Sequence, residues 1–422
     1  MANNQELYDA RLKRVENAVL LNEPEAGDRI PIVPVFQAFP VYYAQERTSV
    51  KYTIKDLLED YKKTAEVYDV FYEHFKPDLG WDPILFFPTQ YMESCGITWF
   101  RWPGKHFDDT MTMYQYIEGD YMKGDEYHEA TRDLTKFMMN KWMPRSFANL
   151  QGMAKLDFRN AMWFGHMGEM AAFADPEVIE TLDALKRTGQ ILLDWFIYLG
   201  EYQGRMKEKF GMPPLCAGFA YAPFDMIGDS MRGTTEILMD MHDRPDELLA
   251  MIDVVTENAI ADTIAGCSGK AVPYVYYWLH KGVDDFMSNE QFGKFYWPSL
   301  RKYIEGVVDA GLTPVIYVEG AYNSRLEFLK EVPRGKCVFN FEYTDMAAAK
   351  KALGGHSCIA GNVKAFTLSY GSKEDTVNEV KQLIDTCAPG GGYILDTGTM
   401  VDDAKVENIE AMFETVETYG RK

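Results

Sequence analysis

TPVIYVEGAYNSRLEFLKEVPRGKCVFNFEYTDMAAAKKALGGHSCIAGNV, residues 313–363, holds three short apolar runs separated by helix-like segments, and each run ends in a polar residue. Runs 315–318, 338–341 and 357–360 stop at Glu319, Glu342 and Asn362. Short buried strands that alternate with helices build a parallel sheet. When such units close into a barrel, the residues at the carboxyl ends of the strands converge on one mouth, where the active site lies. Two carboxylates and an amide are therefore expected to face one cavity.

Working outward, similar runs closed by Pro, Gly or Asp occur at 32–36, 84–87, 215–221, 272–279 and 393–395. With the first three they make eight, the number a closed barrel needs. Amphipathic stretches such as PDELLAMIDVVTENAIADTIAG and SNEQFGKFYWPSLRKYIEGVVDAG separate them. The spacing predicts a (β/α)8 TIM barrel spanning 1–422 as one domain. Residues from about 98 to 212 break the rhythm with Met- and aromatic-rich segments such as KFMMNKWMPRSF, and read as a largely helical insertion over the C-terminal mouth, where loops usually set specificity.

Composition narrows the classes of function. Of 422 residues, 47% are hydrophobic and 25% charged, as in an ordinary folded chain, and the formal net charge is −21. That acidity argues against nucleic-acid binding, which depends on clustered Lys and Arg. No run approaches the ~18 apolar residues of a membrane span, and charges interrupt the N-terminal apolar positions, so no secretory leader is expected and the protein should be cytoplasmic. The six cysteines are dispersed with no CxxC pair, which fits reduced, buried thiols.

Each candidate side chain has a structural alternative. Glu319 follows an apolar run and precedes Gly320, so a role at the mouth is favoured over a surface carboxylate. Glu342 is read either as a site carboxylate or as an ion-pair partner of Arg325 or Lys336. His280 ends the run YVYYWL and is either functional or a satisfied core histidine. Asp225 and Arg232, in APFDMIGDSMRG with Asp229, either contact substrate or clamp a loop. His356 and Cys358 start a strand and are set aside as belonging to the stability face of the barrel.

The segment CIAGNVKAFTLSYGSKEDTVNEVKQLIDTCAPGGGYILDTGTM carries Gly361-Asn362-Val363, a Gly-Ser before a charged helix and Gly390-Gly391-Gly392-Tyr393-Ile394-Leu395, and Glu407-Asn408 opens the last helix. With the opening RVENAVLLNEPEAGDRIPIVPV, it resembles the uroporphyrinogen decarboxylase superfamily. That resemblance implies one of two activities: decarboxylation of a tetrapyrrole precursor, or methyl exchange with a cobamide. The decarboxylases carry two arginines in the first strand for the substrate carboxylates, whereas this chain has Phe36-Gln37-Ala38-Phe39-Pro40. An apolar wall facing a polycarboxylate leaves charges unpaired. The thiol-methylating branch places zinc on His-x-Cys and a later Cys; here those positions read Tyr317-Val318-Glu319 and a segment with Gly398.

The resemblance therefore implies a methyltransferase altered for oxygen chemistry. Glu319, Glu342 and His280 form a candidate zinc set and candidate catalytic groups, because oxygen and imidazole donors leave a harder Lewis acid than thiolates do. Phe36, Gln37, Asp225, Arg232, Tyr317 and Asn362 are the expected substrate contacts. The expected reaction moves a methyl group from a methoxylated substrate, aromatic or otherwise, to a cobamide carried by a separate corrinoid protein, since the Asp-x-His-x-x-Gly cobalt-ligating segment is absent from the chain. The rival expectation is a decarboxylase or lyase acting on a small carboxylated substrate, with Glu319 as acid and His280 as base. A homodimer is the default expectation for assembly.

Overall fold

Strands 313–318 and 338–341 pair in parallel, Val315 opposite Val338 and Tyr317 opposite Asn340, as the apolar runs require. A computed structural model of the chain describes residues 3–108, 113–159 and 162–422. Its strands in chain order are β1 (Phe100–Arg101), β2 (Gln115–Tyr116), β3 (Gly218–Tyr221), β4 (Tyr274–Leu279), β5 (Thr313–Val318), β6 (Val338–Phe341), β7 (Cys358–Ala360) and β8 (Tyr393–Ile394). The first two form an antiparallel hairpin, and β3 to β8 form one parallel sheet in sequence order.

Two irregular segments complete the α/β barrel. Val33 N–H donates to Leu395 O at 2.9 Å and Leu395 N–H to Pro31 O at 2.9 Å, which joins 31–33 to the end of β8. Asp78 N–H then donates to Ile32 O, Gly80 N–H to Pro213 O and Leu215 N–H to Gly80 O, which closes the ring onto β3. These segments do not form regular ladders because Pro31, Pro34, Pro213 and Pro214 have no N–H to donate. The expected strand at 84–87 is a correction. Asp82 caps a 3-10 turn there, Pro83–Leu85, and the second barrel position falls to residues 78–81.

Side chains alternate across the strands as the period of two demands. Tyr277 points outward and meets Tyr303 of the Trp297–Asp309 helix at 4.9 Å, whereas Trp278 points inward and meets Tyr317 at 4.5 Å. Trp81 stacks on Phe219 at 5.9 Å and lies 6.4 Å from Tyr276 and from Trp278. The barrel interior is therefore an aromatic plug below the mouth.

Residues 98–212 contribute the hairpin, several short helices and the 35-residue helix Pro176–Phe210. That helix starts on an Asp175 cap with Pro176 in its first turn and stops at Gly211, whose φ of +56° suits glycine. Tyr121 and Met122 N–H both donate to Met231 O at 2.8 Å, Trp142 Nε1 donates to Ser230 O at 2.6 Å, and Tyr116 OH donates to Asp229 O. The insertion is thereby fastened to the loop that follows β3, at the carboxyl end of the strands. Residues 109–112 and 160–161 of the insertion lie outside the described residues. Among the described residues no helix is long and apolar enough to cross a membrane.

Candidate active site

β4 is buried along its whole length and delivers His280 and Lys281 to the mouth. A fully buried carboxylate fixes their turn: Asp225 accepts the His280 and Lys281 amides, each at 2.9 Å, and the Tyr296 hydroxyl at 2.6 Å. Three donors spent on one carboxylate leave Asp225 a positioning role and correct its expected contact with substrate. It comes from the short helix Pro223–Ile227 that begins just after β3.

Asp229, four residues on, aligns the imidazole. Its Oδ2 lies 2.6 Å from His280 Nδ1, and its Oδ1 accepts from Lys281 Nζ. On the far side of the ring, His280 Nε2 is 3.8 Å from Glu319 Oε2. Burial alone would lower the His280 pKa, but the Asp229 hydrogen bond and the charges of Asp225, Asp229 and Glu319 outweigh it and raise it to about 9. That shift favours the imidazolium at neutral pH. Glu319 moves up from the usual carboxylate range because it is poorly solvated, with Glu342, Asp225 and Asp229 nearby; His280 opposes the shift. Its side chain is 44% exposed. Tyr221 at the end of β3 lies 5.9 Å from the His280 ring, and poor solvation together with the charges of Asp229 and Glu319 raises its hydroxyl pKa.

The other expected residues divide by what they touch. Glu342 pairs with neither Arg325 nor Lys336; its Oε2 accepts the Gly320 amide at 2.6 Å, and Gly320 adopts φ +84° to present that amide. Asn362 donates to Glu342 O at 2.9 Å and Thr344 O at 3.1 Å, so its amide braces the turn after β6 instead of meeting substrate. Tyr317 is buried in the interior with a hydroxyl that has no partner among the described residues. Phe36 packs outward against Phe39 and Phe71, which corrects its expected place at the mouth, while Gln37 is half-buried beside Val401.

Arg232 is also corrected. Four of its donors make hydrogen bonds: it grips Asp240 through Nε and Nη2 and, through Nη1, reaches Asp120 at 2.9 Å and Met122 O at 2.6 Å, while Nη2 also lies 3.5 Å from Glu236. It fastens the insertion to the helix Thr234–Asp243.

The proposed zinc donors do not close around one point. Glu342 Oε2 is turned to the Gly320 amide, and His280 Nδ1 is taken by Asp229, which leaves Nε2 facing Glu319 at 3.8 Å. Among the described residues no three His, Cys, Asp or Glu side chains are grouped to hold a metal ion. A thiolate ligand at Gly398 is also barred: a Cβ there would lie 2.4 Å from Phe341 O, and φ is +68°.

Sequence reading passed over Tyr221 and Asp396, and it named Asp229 without its partner His280. Asp229 stands 51 positions from His280, so no local spacing reveals the pair. Asp396 follows β8 within a turn-like Asp-Thr-Gly; it is fully buried, accepts Asn340 Nδ2 at 2.5 Å, and is pushed up to about 7 by burial.

A model of the uroporphyrinogen decarboxylase (URO-D) family matches residues 162–419. A solved methyltransferase from Methanosarcina mazei superposes with a TM-score of 0.61 over 97% of this chain and 98% of that one, at 15% sequence identity, and so shares the fold. No curated protein matches the chain.

Proposed function

Because the chain belongs to the uroporphyrinogen decarboxylase family, we propose that it is a methyltransferase of that family which demethylates a methoxylated aromatic substrate with acid assistance from His280. The observation that carries this reading is the Asp229–His280–Glu319 array at the ends of β4 and β5, set above an aromatic interior. The solved relative of similar fold is itself described as a methyltransferase.

The difficulty in cleaving an aryl ether is the departing oxygen, which leaves with both electrons of its bond to the methyl carbon. His280 meets that need by transferring its Nε2 proton to the oxygen, so that a phenol departs and a neutral imidazole remains. The acid is well matched, since its pKa of about 9 lies close to the ~10 of a phenol. Asp229 holds the ring in place through Nδ1 and favours reprotonation, and Glu319 sits beside the proton that moves. Trp278 and Tyr317, buried against each other, form an apolar floor beneath the array. A cobamide on a separate corrinoid protein would supply the low-valent cobalt to accept the methyl group. The acidic surface of the chain suits a partner with a basic docking face.

The rival reading, a decarboxylase or lyase with His280 as base, is less favoured because a histidine held protonated is a poor base. The test is to mix the protein with a methoxylated aromatic and chemically reduced free cobalamin and to follow methylcobalamin by absorbance. Transfer that falls ~100-fold or more in His280→Gln supports the reading. No transfer to cobalamin from a range of methoxylated aromatics by the folded wild type overturns it.

A further inference from the structure

Between the short helix Pro223–Ile227 and the helix Thr234–Asp243 the chain widens into a π-helical turn, Gly228–Arg232, and this turn carries Asp229. Its closing bond runs one residue longer than an α-helical one: Gly233 N–H passes over Asp229 O and donates to Gly228 O at 2.8 Å. Asp229 O is thereby released from the helical ladder. One residue on, Thr234 N–H, which would serve Ser230 O in an α-helix, donates instead to Glu118 Oε1 at 2.6 Å.

The insertion takes up the groups set free. Tyr116 OH donates to Asp229 O, Trp142 Nε1 to Ser230 O at 2.6 Å, and the Tyr121 and Met122 amides both to Met231 O at 2.8 Å. Three successive carbonyls of one turn are held by the insertion, while the Asp229 side chain of that turn reaches His280 Nδ1 at 2.6 Å and Lys281. Single π turns are rare and often mark functional sites. Among the described residues there are three, and each contributes to this assembly. Met138–Trp142 ends in the indole that holds Ser230, Gly228–Arg232 carries Asp229, and Phe292–Tyr296 ends in the hydroxyl that donates to Asp225.

We propose that Tyr116 and Trp142 are positioning residues for His280: by fixing the main chain at Asp229 and Ser230, they set the Asp229–His280 hydrogen bond. Two observations separate this from the plain anchoring of a loop. Arg232, bonded to Asp120 and Asp240, already fastens the insertion; the added contacts fall on the main chain of the residue that aligns the imidazole and on its neighbour. Moreover, an α-helix satisfies such carbonyls by itself, so the π turn and its external donors have a use only together. A hydrogen bond weakens steeply as its angle closes, so a small rotation of the turn is enough to loosen the imidazole. The consequence for catalysis rests on the demethylation reading, in which Asp229 holds the ring in place; the tether itself does not depend on any methyl donor.

The test reads the Asp229–His280 bond directly, by proton NMR of the full chain labelled with ¹⁵N-histidine. The Nδ1–H gives a downfield resonance, identified by its loss in His280→Gln. With a carboxylate as its acceptor, Nδ1 keeps that proton whether the ring is charged or neutral, so this outcome is separate from that of the methyl-transfer assay. Tyr116→Phe removes only the donor and keeps the ring beside Trp99, and Trp142→Phe keeps a ring against Phe147. In each, the resonance should move upfield and its exchange with water should quicken ~5-fold, the effect of one hydrogen bond of ordinary strength. The two changes together should reach ~10-fold or more. Thr181→Val, which removes bonds to Gly152 N–H and Asn149 O elsewhere in the insertion, should leave the resonance in place. A double variant that is folded by circular dichroism yet keeps the wild-type resonance and exchange overturns the proposal, as does an equal change in Thr181→Val.

Discussion

The two ends of the barrel handle buried charge in opposite ways. At the amino end Asp78 accepts from Arg29 Nη1 at 2.7 Å and from the Ile32 amide at 2.8 Å, and also from Arg14, while Arg29 reaches Glu417 at 2.5 Å. Despite full burial, the two arginines hold Asp78 below the usual carboxylate range. At the carboxyl end Asp225, Asp229, Glu319 and Glu342 gather around two cations, and the carboxylates shift apart, Asp229 downward and Glu319 upward. Groups paired to cancel hold a fold together, whereas groups set at odds keep one member in an uncommon protonation state, which is what acid or base chemistry needs.

The contrast should appear first in stability. Asp78→Ala leaves Arg29 buried without its main partner and is expected to lower unfolding free energy by ~3–5 kcal/mol, read by urea denaturation. His280→Gln should cost at least ~100-fold in methyl transfer, ~2.7 kcal/mol of barrier, while moving the urea midpoint far less. If His280→Gln destabilises the fold as much as Asp78→Ala does, the division between the two ends fails.

The pH dependence should separate the ends further. The folded pKa of His280, about 9, lies above its unfolded value of ~6.5, so the stability it contributes is full below ~6.5 and is lost as pH rises through 9; with the ring partly open to solvent this amounts to ~1–2 kcal/mol. Asp396 acts in the same direction at lower pH: with a folded pKa of about 7 it binds a proton that the unfolded chain has released, so stability falls as pH rises from ~4 to 7. Asp78, shifted downward, gives stability that is present above ~4 and lost only as pH falls through its folded pKa. Unfolding curves of Asp396→Asn should lose the dependence between ~4 and 7 and retain the other two.

A smaller effect concerns Gly398. Substitution by Ala is expected to cost ~1–2 kcal/mol from the left-handed backbone alone, with the Phe341 carbonyl contact adding to it. Differential scanning calorimetry of Gly398→Ala checks this, and an unchanged melting temperature would reopen the position to a side chain.

Much of the fold was legible because β5, β6 and β7 are short, largely apolar runs followed by a polar residue; 338–341 matches β6 residue for residue. The second barrel segment was not, since 78–81 carries no apolar run and Ile84-Leu85-Phe86-Phe87 mimics a strand until the Asp82 cap turns it. At the site, position along a strand placed His280 and Glu319 side by side. Partners were illegible: nothing near Arg232 in sequence announces Asp120, and nothing near Glu342 announces the Gly320 amide. Such choices are made by packing between elements distant in the chain.

The protonation of His280 is the point on which the proposed chemistry turns, and ¹⁵N-imidazole NMR across pH 5 to 10 reads it directly, with Asp229→Asn as the companion. The expected result is a His280 titration near 9, both ring nitrogens protonated at neutral pH, and a midpoint that falls toward ~6.5 when Asp229 loses its charge. A wild-type midpoint at or below ~6.5 would mean a neutral imidazole at the mouth and would contradict acid assistance by His280.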